Sequence, residues 1–244
     1  MKRWIIILLV LSVGGIGCSN SEKPEEPENP QVLPTRINLI GTYVDPLEVI
    51  CVDFIDYHRL GFVQGQVLPY NVVLWLFCDL TKEEDYITDH SHRERFDSLV
   101  QAHGDDHWNY WSQPIGACLF RETTGVHVVC DRDYDREHPA GTLLDDLVLV
   151  HYETLDHTLV GGEYLVDVTD PQNVNNNNWL GYKFEAPLSS FNQERHKLIP
   201  LRFECRLTKA PAETGEYVFT CTWTNEDGKK LTASTDPLRI QGEE

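Results

Sequence analysis

Tyr217-Val-Phe-Thr-Cys-Thr-Trp223 is the stretch that decides the fold class. Tyr217, Phe219, Cys221 and Trp223 fall on one face, and Val218, Thr220 and Thr222 on the other. That is the period of two expected of a half-buried β-strand. Upstream, Arg202-Phe-Glu-Cys-Arg-Leu-Thr208 puts Phe203, Cys205 and Leu207 on a single face, and the loop Lys209–Gly215 makes it the expected hairpin partner. Downstream, Asn225-Glu-Asp-Gly228 is a turn signal, followed by strands at 231–235 and 238–240. Further strands are expected at 49–56, 72–78, 117–120, 126–130, 147–152, 164–168 and 179–184. One helix interrupts them at about 92–103, with Ser91 and Glu94 as a capping box, Phe96, Leu99, Val100 and His103 as its inner stripe, and Gly104 as its stop. Many short strands separated by turns predict a mainly β fold, a sandwich or a barrel.

The last strands carry a resemblance. Gly215-Glu-Tyr-Val-Phe-Thr220, Asp227-Gly-Lys-Lys-Leu-Thr232 and Leu238-Arg-Ile240 resemble the terminal strands of bacterial immunoglobulin-like domains. The resemblance implies an immunoglobulin-like or related β-sandwich. Tyr217 stands four residues before Cys221 rather than two, which departs from antibody domains.

The N-terminus is an address. Lys2 and Arg3 precede an apolar run, Trp4 to Val13, that ends in Gly14-Gly-Ile-Gly-Cys18. The run is too short for the ~20 residues of a membrane span and has the parts of a secretory signal. Its end on Cys18 resembles a bacterial lipoprotein signal, which implies cleavage after residue 17 and a diacylglycerol thioether on Cys18. Ordinary cleavage after Gly17 and an uncleaved anchor are the alternatives. Residues 18–35, rich in Pro and Glu, read as an extended tether. An acidic run after the cysteine resembles the surface-export signal of Bacteroidetes lipoproteins, and the whole chain looks like the lipoproteins of that group. The implied location is the outer membrane, lipid-anchored, at the cell surface or on the periplasmic face. The body is expected at 36–244, with a split near 161–162 as the alternative.

The chain holds 20 Lys+Arg against 39 Asp+Glu, a net charge of -19. Loss of Lys2 and Arg3 with the signal leaves 18 against 39, or -21. Nucleic acid and anionic lipid surfaces need the opposite sign, so both are excluded as partners through broad electrostatics. Six cysteines remain beyond Cys18, an even number in an exported chain, and predict a disulfide-stapled body. Hairpin symmetry about Thr123-Thr-Gly125 pairs Cys118 with Cys130, symmetry about Glu213 pairs Cys205 with Cys221, and elimination pairs Cys51 with Cys78. Buried free thiols are the alternative; zinc lacks any CxxC or CxxH pair.

Candidate sites are few. Asp131, Asp133 and Asp135 alternate like the oxygen ligands of a calcium loop, although Arg136 and Thr142 occupy the positions where an EF-hand needs Gly and Glu. Apart from that calcium alternative, no cofactor is expected. His90, His92, His103 and His107 invite a metal, but a helix over 92–103 sets His92 and His103 ~16 Å apart. Trp108, Tyr110 and Trp111, with Trp179 after an Asn run, offer flat rings beside short polar side chains, the chemistry of sugar binding. No GxSxG, P-loop, HExxH or GxGxxG occurs. The expected function is a non-catalytic, membrane-anchored binding module for an extracellular ligand such as a glycan. A structural or assembly subunit of a surface or pilus-type complex and a secreted hydrolase are the alternatives.

Overall fold

The computed structural model describes residues 38–54, 66–78, 86–88, 90–106, 115–159 and 182–243. The chain divides into two compact units, Met1–Thr35 and Arg36–Glu244, and the described residues belong to the second. Cys18, the tether, the strand expected at 164–168, the split at 161–162 and the rings of Trp108, Tyr110, Trp111 and Trp179 lie outside the described residues.

The fold is mainly β. The strands are β1 (Ile40–Val44), β2 (Val49–Phe54), β3 (Val73–Cys78), β4 (Tyr86–Ile87), β5 (Ile115–Leu119), β6 (Thr123–Cys130) and β7 (Val148–Thr154). They continue as β8 (Tyr182–Pro187), β9 (Arg202–Leu207), β10 (Gly215–Tyr217), β11 (Phe219–Asn225), β12 (Lys230–Ser234) and β13 (Leu238–Ile240). Helix α1 covers Arg93–Ala102, and α2 (Asp156–Leu159) and α3 (Leu188–Phe191) are single turns. A five-stranded sheet runs β2-β3-β9-β7-β8, a three-stranded sheet β12-β11-β6, a second three-stranded sheet β4-β1-β5, and β10 pairs with β13.

The alternation read from the sequence sets which side chains meet. Phe219, Cys221 and Trp223 of β11 and Phe203, Cys205 and Leu207 of β9 are buried in one core, to which β3 adds Leu74 and Leu76 and β6 adds Val126 and Val128. The five-stranded sheet and the β12-β11-β6 sheet thus share one apolar interior, and Phe203 meets Trp223 edge-on at 5.9 Å between centroids. At ~25 cal/mol per Å², such rings supply much of the burial energy. A smaller core lies beneath β4-β1-β5, where Leu39, Ile40 and Tyr43 pack on Phe96 and Val100 of α1. There the buried Asp105 carboxylate accepts the Leu39 and Ile40 backbone N–H groups at 2.7 and 2.8 Å, tying the end of α1 to the start of β1.

Several expectations are corrected. β9 and β11 are not a hairpin: β9 pairs with β3 and β7, and β11 with β6 and β12. Thr123-Thr-Gly125 is no hairpin loop either but the start of β6, while Cys118 belongs to β5, which pairs in parallel with β1. No disulfide joins the described cysteine side chains. Cys118 and Cys130 sit in different sheets and different cores, so the symmetry argument for bridging them fails. Cys205 and Cys221 belong to different sheets. Cys51 stands opposite Leu76 and Cys78 opposite Val49, so the β2–β3 register does not oppose Cys51 to Cys78. Helix α1 forms as expected, with Phe96 and Val100 inward and Gly104 at φ 67° beyond its end. Its capping box does not form. His92 is the N-cap without a side-chain bond, and the Ser91 hydroxyl instead meets Thr88 at 3.0 Å.

Candidate functional site: a notch between β7 and β9

Strands β7 and β9 run together from Val148↔Leu207 to His151↔Glu204 and then separate. They rejoin where Thr154 Oγ1 donates to the Lys197 carbonyl at 2.7 Å and Leu155 N–H to the Leu198 carbonyl at 3.1 Å. Between these ties β7 spends only Tyr152 and Glu153, while the other chain spends residues 199–203. The surplus arches away. The Ile199 carbonyl accepts Leu119 N–H and the Leu201 carbonyl accepts Cys78 N–H, pinning the arch to β5 and β3. Leu198, at φ 48°, takes a left-handed turn that is unfavourable by about 1 kcal/mol for a side-chain-bearing residue. Pro200, which has no N–H to leave unpaired, sits in the arch.

The opening so made is a cleft of about 110 Å³ lined by His151, Tyr152, Glu153, Phe184, Pro200, Arg202 and Glu204. Drug-sized ligands occupy about 300–1,000 Å³, so this notch suits a single small ring or the end of a chain. Tyr152 and Phe184 face each other across β7 and β8 and stack at 5.4 Å, 23° from parallel. Tyr152 also meets Phe191 and His196 edge-on at 4.9 and 5.0 Å, which fixes its ring. Burial, with Glu194 adding to it, raises the pKa of the Tyr152 phenol.

The polar groups are mostly committed. His151 Nε2 lies 2.5 Å from Glu185 Oε2, and the same oxygen accepts from Arg206 at 3.1 Å. Arg202 lies 3.7 Å from Glu204, and its guanidinium sits 5.4 Å from the Trp75 ring centroid, within cation–π range. Glu153 has no hydrogen-bond or ion-pair partner among the described residues. The arrangement offers apolar ring surface, a hydrogen-bonding imidazole and a carboxylate uncommitted among the described residues. The chain matches no known family, no curated protein and no solved structure.

The sequence-predicted sites fare differently. Asp131, Asp133 and Asp135 do not converge on a cation. Asp131 Oδ1 accepts Val218 N–H at 2.9 Å and Asp133 Oδ1 accepts Ala140 N–H at 2.9 Å. Asp135 accepts from the Glu137 and His138 N–H groups, from the His138 ring and from Lys209. Alternating carboxylates here organise a loop, and no group of three among the described residues is placed to hold a metal. Burial would raise the Asp135 pKa, but Lys209 and His138 outweigh it and hold the carboxyl far below the usual range. His90 and His92 lie on the surface, and the His103 ring stacks on Tyr43 at 5.7 Å.

A second polar cluster has a structural task. On the outer edge of β6, Asn192 Oδ1 accepts Val126 N–H at 2.8 Å and its Nδ2 donates to the Val126 carbonyl at 2.7 Å. Asp145 accepts Val128 N–H at 3.2 Å and meets His127 Nδ1 at 2.7 Å, and Leu144 N–H reaches the Val128 carbonyl. Side chains here complete the ladder that another strand would supply, which closes the edge to strand addition.

Sequence reasoning missed the notch residues. Arg202, Glu204 and Arg206 alternate outward on β9, and His151 and Glu153 do so on β7, so their common face was legible. Their juxtaposition depends on β7 and β9 being neighbours across some fifty residues of chain.

Proposed function

We propose that this chain is a lipid-anchored extracytoplasmic binding module whose ligand is a glycan, gripped by the notch between β7 and β9. The observation that carries the reading is the union, in one small cleft, of the Tyr152–Phe184 ring pair with His151, Glu153, Arg202 and Glu204. Rings cover the apolar C–H faces of a sugar while charged and imidazole groups take its hydroxyls. The immunoglobulin-like reading of the body draws support from Tyr217. Its buried phenol donates to the Glu213 carbonyl at 2.7 Å, a bond like the tyrosine corner of such domains. The anchor rests on Cys18 and the signal-like run before it. Two or three acyl chains at ~0.8 kcal/mol per buried CH₂ would hold the mature protein at the membrane.

A glycan screen on the detergent-solubilised full-length protein tests the site. Glu204→Gln and Phe184→Ala should each weaken the bound glycan at least about tenfold, the loss of one charge-assisted hydrogen bond or one ring contact. Absence of any glycan binding by the wild type overturns the reading. Metabolic labelling with a palmitate analogue tests the anchor, and label retained by Cys18→Ala refutes it.

A further inference from the structure

We infer that the notch selects saccharides carrying a protonated amine, with Glu153 as the counter-ion; this deepens the glycan reading above and rests on it. Most charges in the cleft already have partners. Glu185 is held by both His151 and Arg206. Glu204 is balanced by Arg202, and Arg202 is drawn onto the Trp75 ring. Glu153 lines the same cleft and is committed to none of the described residues. A half-buried carboxylate without a partner among the described residues gains most from a cation that brings its own donors.

Ring chemistry points the same way. Phe184 and Tyr152 line the same cleft, and electron-rich rings attract ammonium groups and C–H faces alike. A net charge of -19 adds long-range attraction for cations and repels uronates and sulfated or phosphorylated glycans. One small ring fills the notch, so a terminal amino sugar satisfies size, charge and ring contact together.

The test is calorimetric titration of the detergent-solubilised full-length protein with three probes: a glucosamine tetramer, its N-acetylated counterpart and a galacturonate tetramer. A pH of about 5.5–6 keeps the amine of the probe protonated. The glucosamine tetramer should bind at least about tenfold more tightly than the N-acetylated one, and increasingly weakly as salt rises. Glu153→Gln should remove that difference, and Glu153→Asp should restore part of it. Equal or tighter binding of the N-acetylated or galacturonate probe overturns the amine assignment and leaves the glycan reading standing. So does an unchanged preference in Glu153→Gln. If neither these probes nor a broad neutral glycan panel binds, the glycan reading itself fails.

Discussion

Replacing Asn192 by Ala tests whether side chains seal the edge of β6. Asn192 supplies an acceptor to Val126 N–H at 2.8 Å and a donor to the Val126 carbonyl at 2.7 Å, and its amide also donates to Asp145 Oδ2 at 3.1 Å. Ala removes these bonds, and the contact of the amide with His127 Nδ1 at 3.3 Å, and fills none of the space. A fully buried backbone group left unpaired is destabilising by about 1–3 kcal/mol, but this edge is only partly buried and water will reach it. Taking about 1–1.5 kcal/mol for each of the two Val126 groups gives a loss of about 2–3 kcal/mol. For a body of this size, 1 kcal/mol corresponds to about 2–4 °C, so the midpoint should fall by about 4–12 °C. Asn192→Asp separates the parts of the argument. It keeps the acceptor for Val126 N–H, loses the donor to the carbonyl and sets a second carboxylate beside Asp145. Its deficit at neutral pH should therefore exceed that of Asn192→Ala and shrink as the pH falls toward 4. Scanning calorimetry and urea titration, with an unchanged denaturant slope as the check on comparable unfolding, provide the readout. A midpoint within about 2 °C of wild type for Asn192→Ala would show that the edge needs no such closure.

Other outcomes follow from single contacts. Burial, reinforced by Glu153 and Asp105, pushes the Cys118 thiol well above its ordinary range, so iodoacetamide should leave Cys118 unmodified in the native protein and label it on unfolding; native labelling at Cys118 would refute its burial. His138 bridges Asp135 and Asp146 at 2.7 and 3.1 Å; burial lowers its pKa, but those carboxylates prevail and raise it. Its contribution is complete below the unfolded value of about 6.5 and disappears as pH rises through the higher folded value, whereas that of Asp135, depressed on folding, disappears only as pH falls well below about 3.9. His138→Gln should accordingly lower the melting midpoint more at pH 5.5 than at pH 8.5, and an equal loss at both would refute the charged bridge. Gly242 allows the C-terminal chain to lie against residues 213–214, where an added Cβ would stand 2.4 Å from the Glu213 carbonyl carbon. Gly242→Ala should therefore break the Gly242 N–H bond to Thr214 Oγ1 and destabilise by about 1–3 kcal/mol in a urea titration. Gly141→Ala, with open space but φ at 77°, should lose only about 1–2 kcal/mol.

Which face of a strand is buried was readable; which strand lies beside it was not. Phe219, Cys221 and Trp223 are inside, as are Phe203, Cys205 and Leu207, because a period of two fixes a face from the local sequence alone. Pairing is a long-range choice among similar strands. The hairpins expected between 118 and 130 and between 205 and 221 assumed that neighbours in sequence are neighbours in a sheet. The turn at 120–122 instead carries the chain from β5 in one sheet to β6 in another. β1 escaped notice because Tyr43 and Val44 are both buried in succession, which breaks the alternation. Asp105, 66 residues from Leu39, anchors β1 by a contact that no local pattern encodes.

The notch is illegible in sequence for the same reason, and its shape follows from chain length. A regular β7–β9 ladder would bury the Tyr152 and Glu153 backbone against a partner strand and leave a flat surface there. The surplus of residues 199–203 over Tyr152 and Glu153 makes a flat ladder impossible between the two ties, so the arch is a consequence of chain length. Ile199, wholly buried, and the bonds from Leu119 and Cys78 hold it open from behind. A cleft maintained by core packing keeps its shape when empty, and a preformed shape loses less entropy on binding than a loop that must order. Loosening the arch should therefore weaken ligand binding even where no lining residue changes. Ile199→Ala is the variant that separates that effect from contact loss: its affinity should fall while the notch side chains remain those of the wild type, and an unaltered affinity in a destabilised protein would show that the arch does not shape the site.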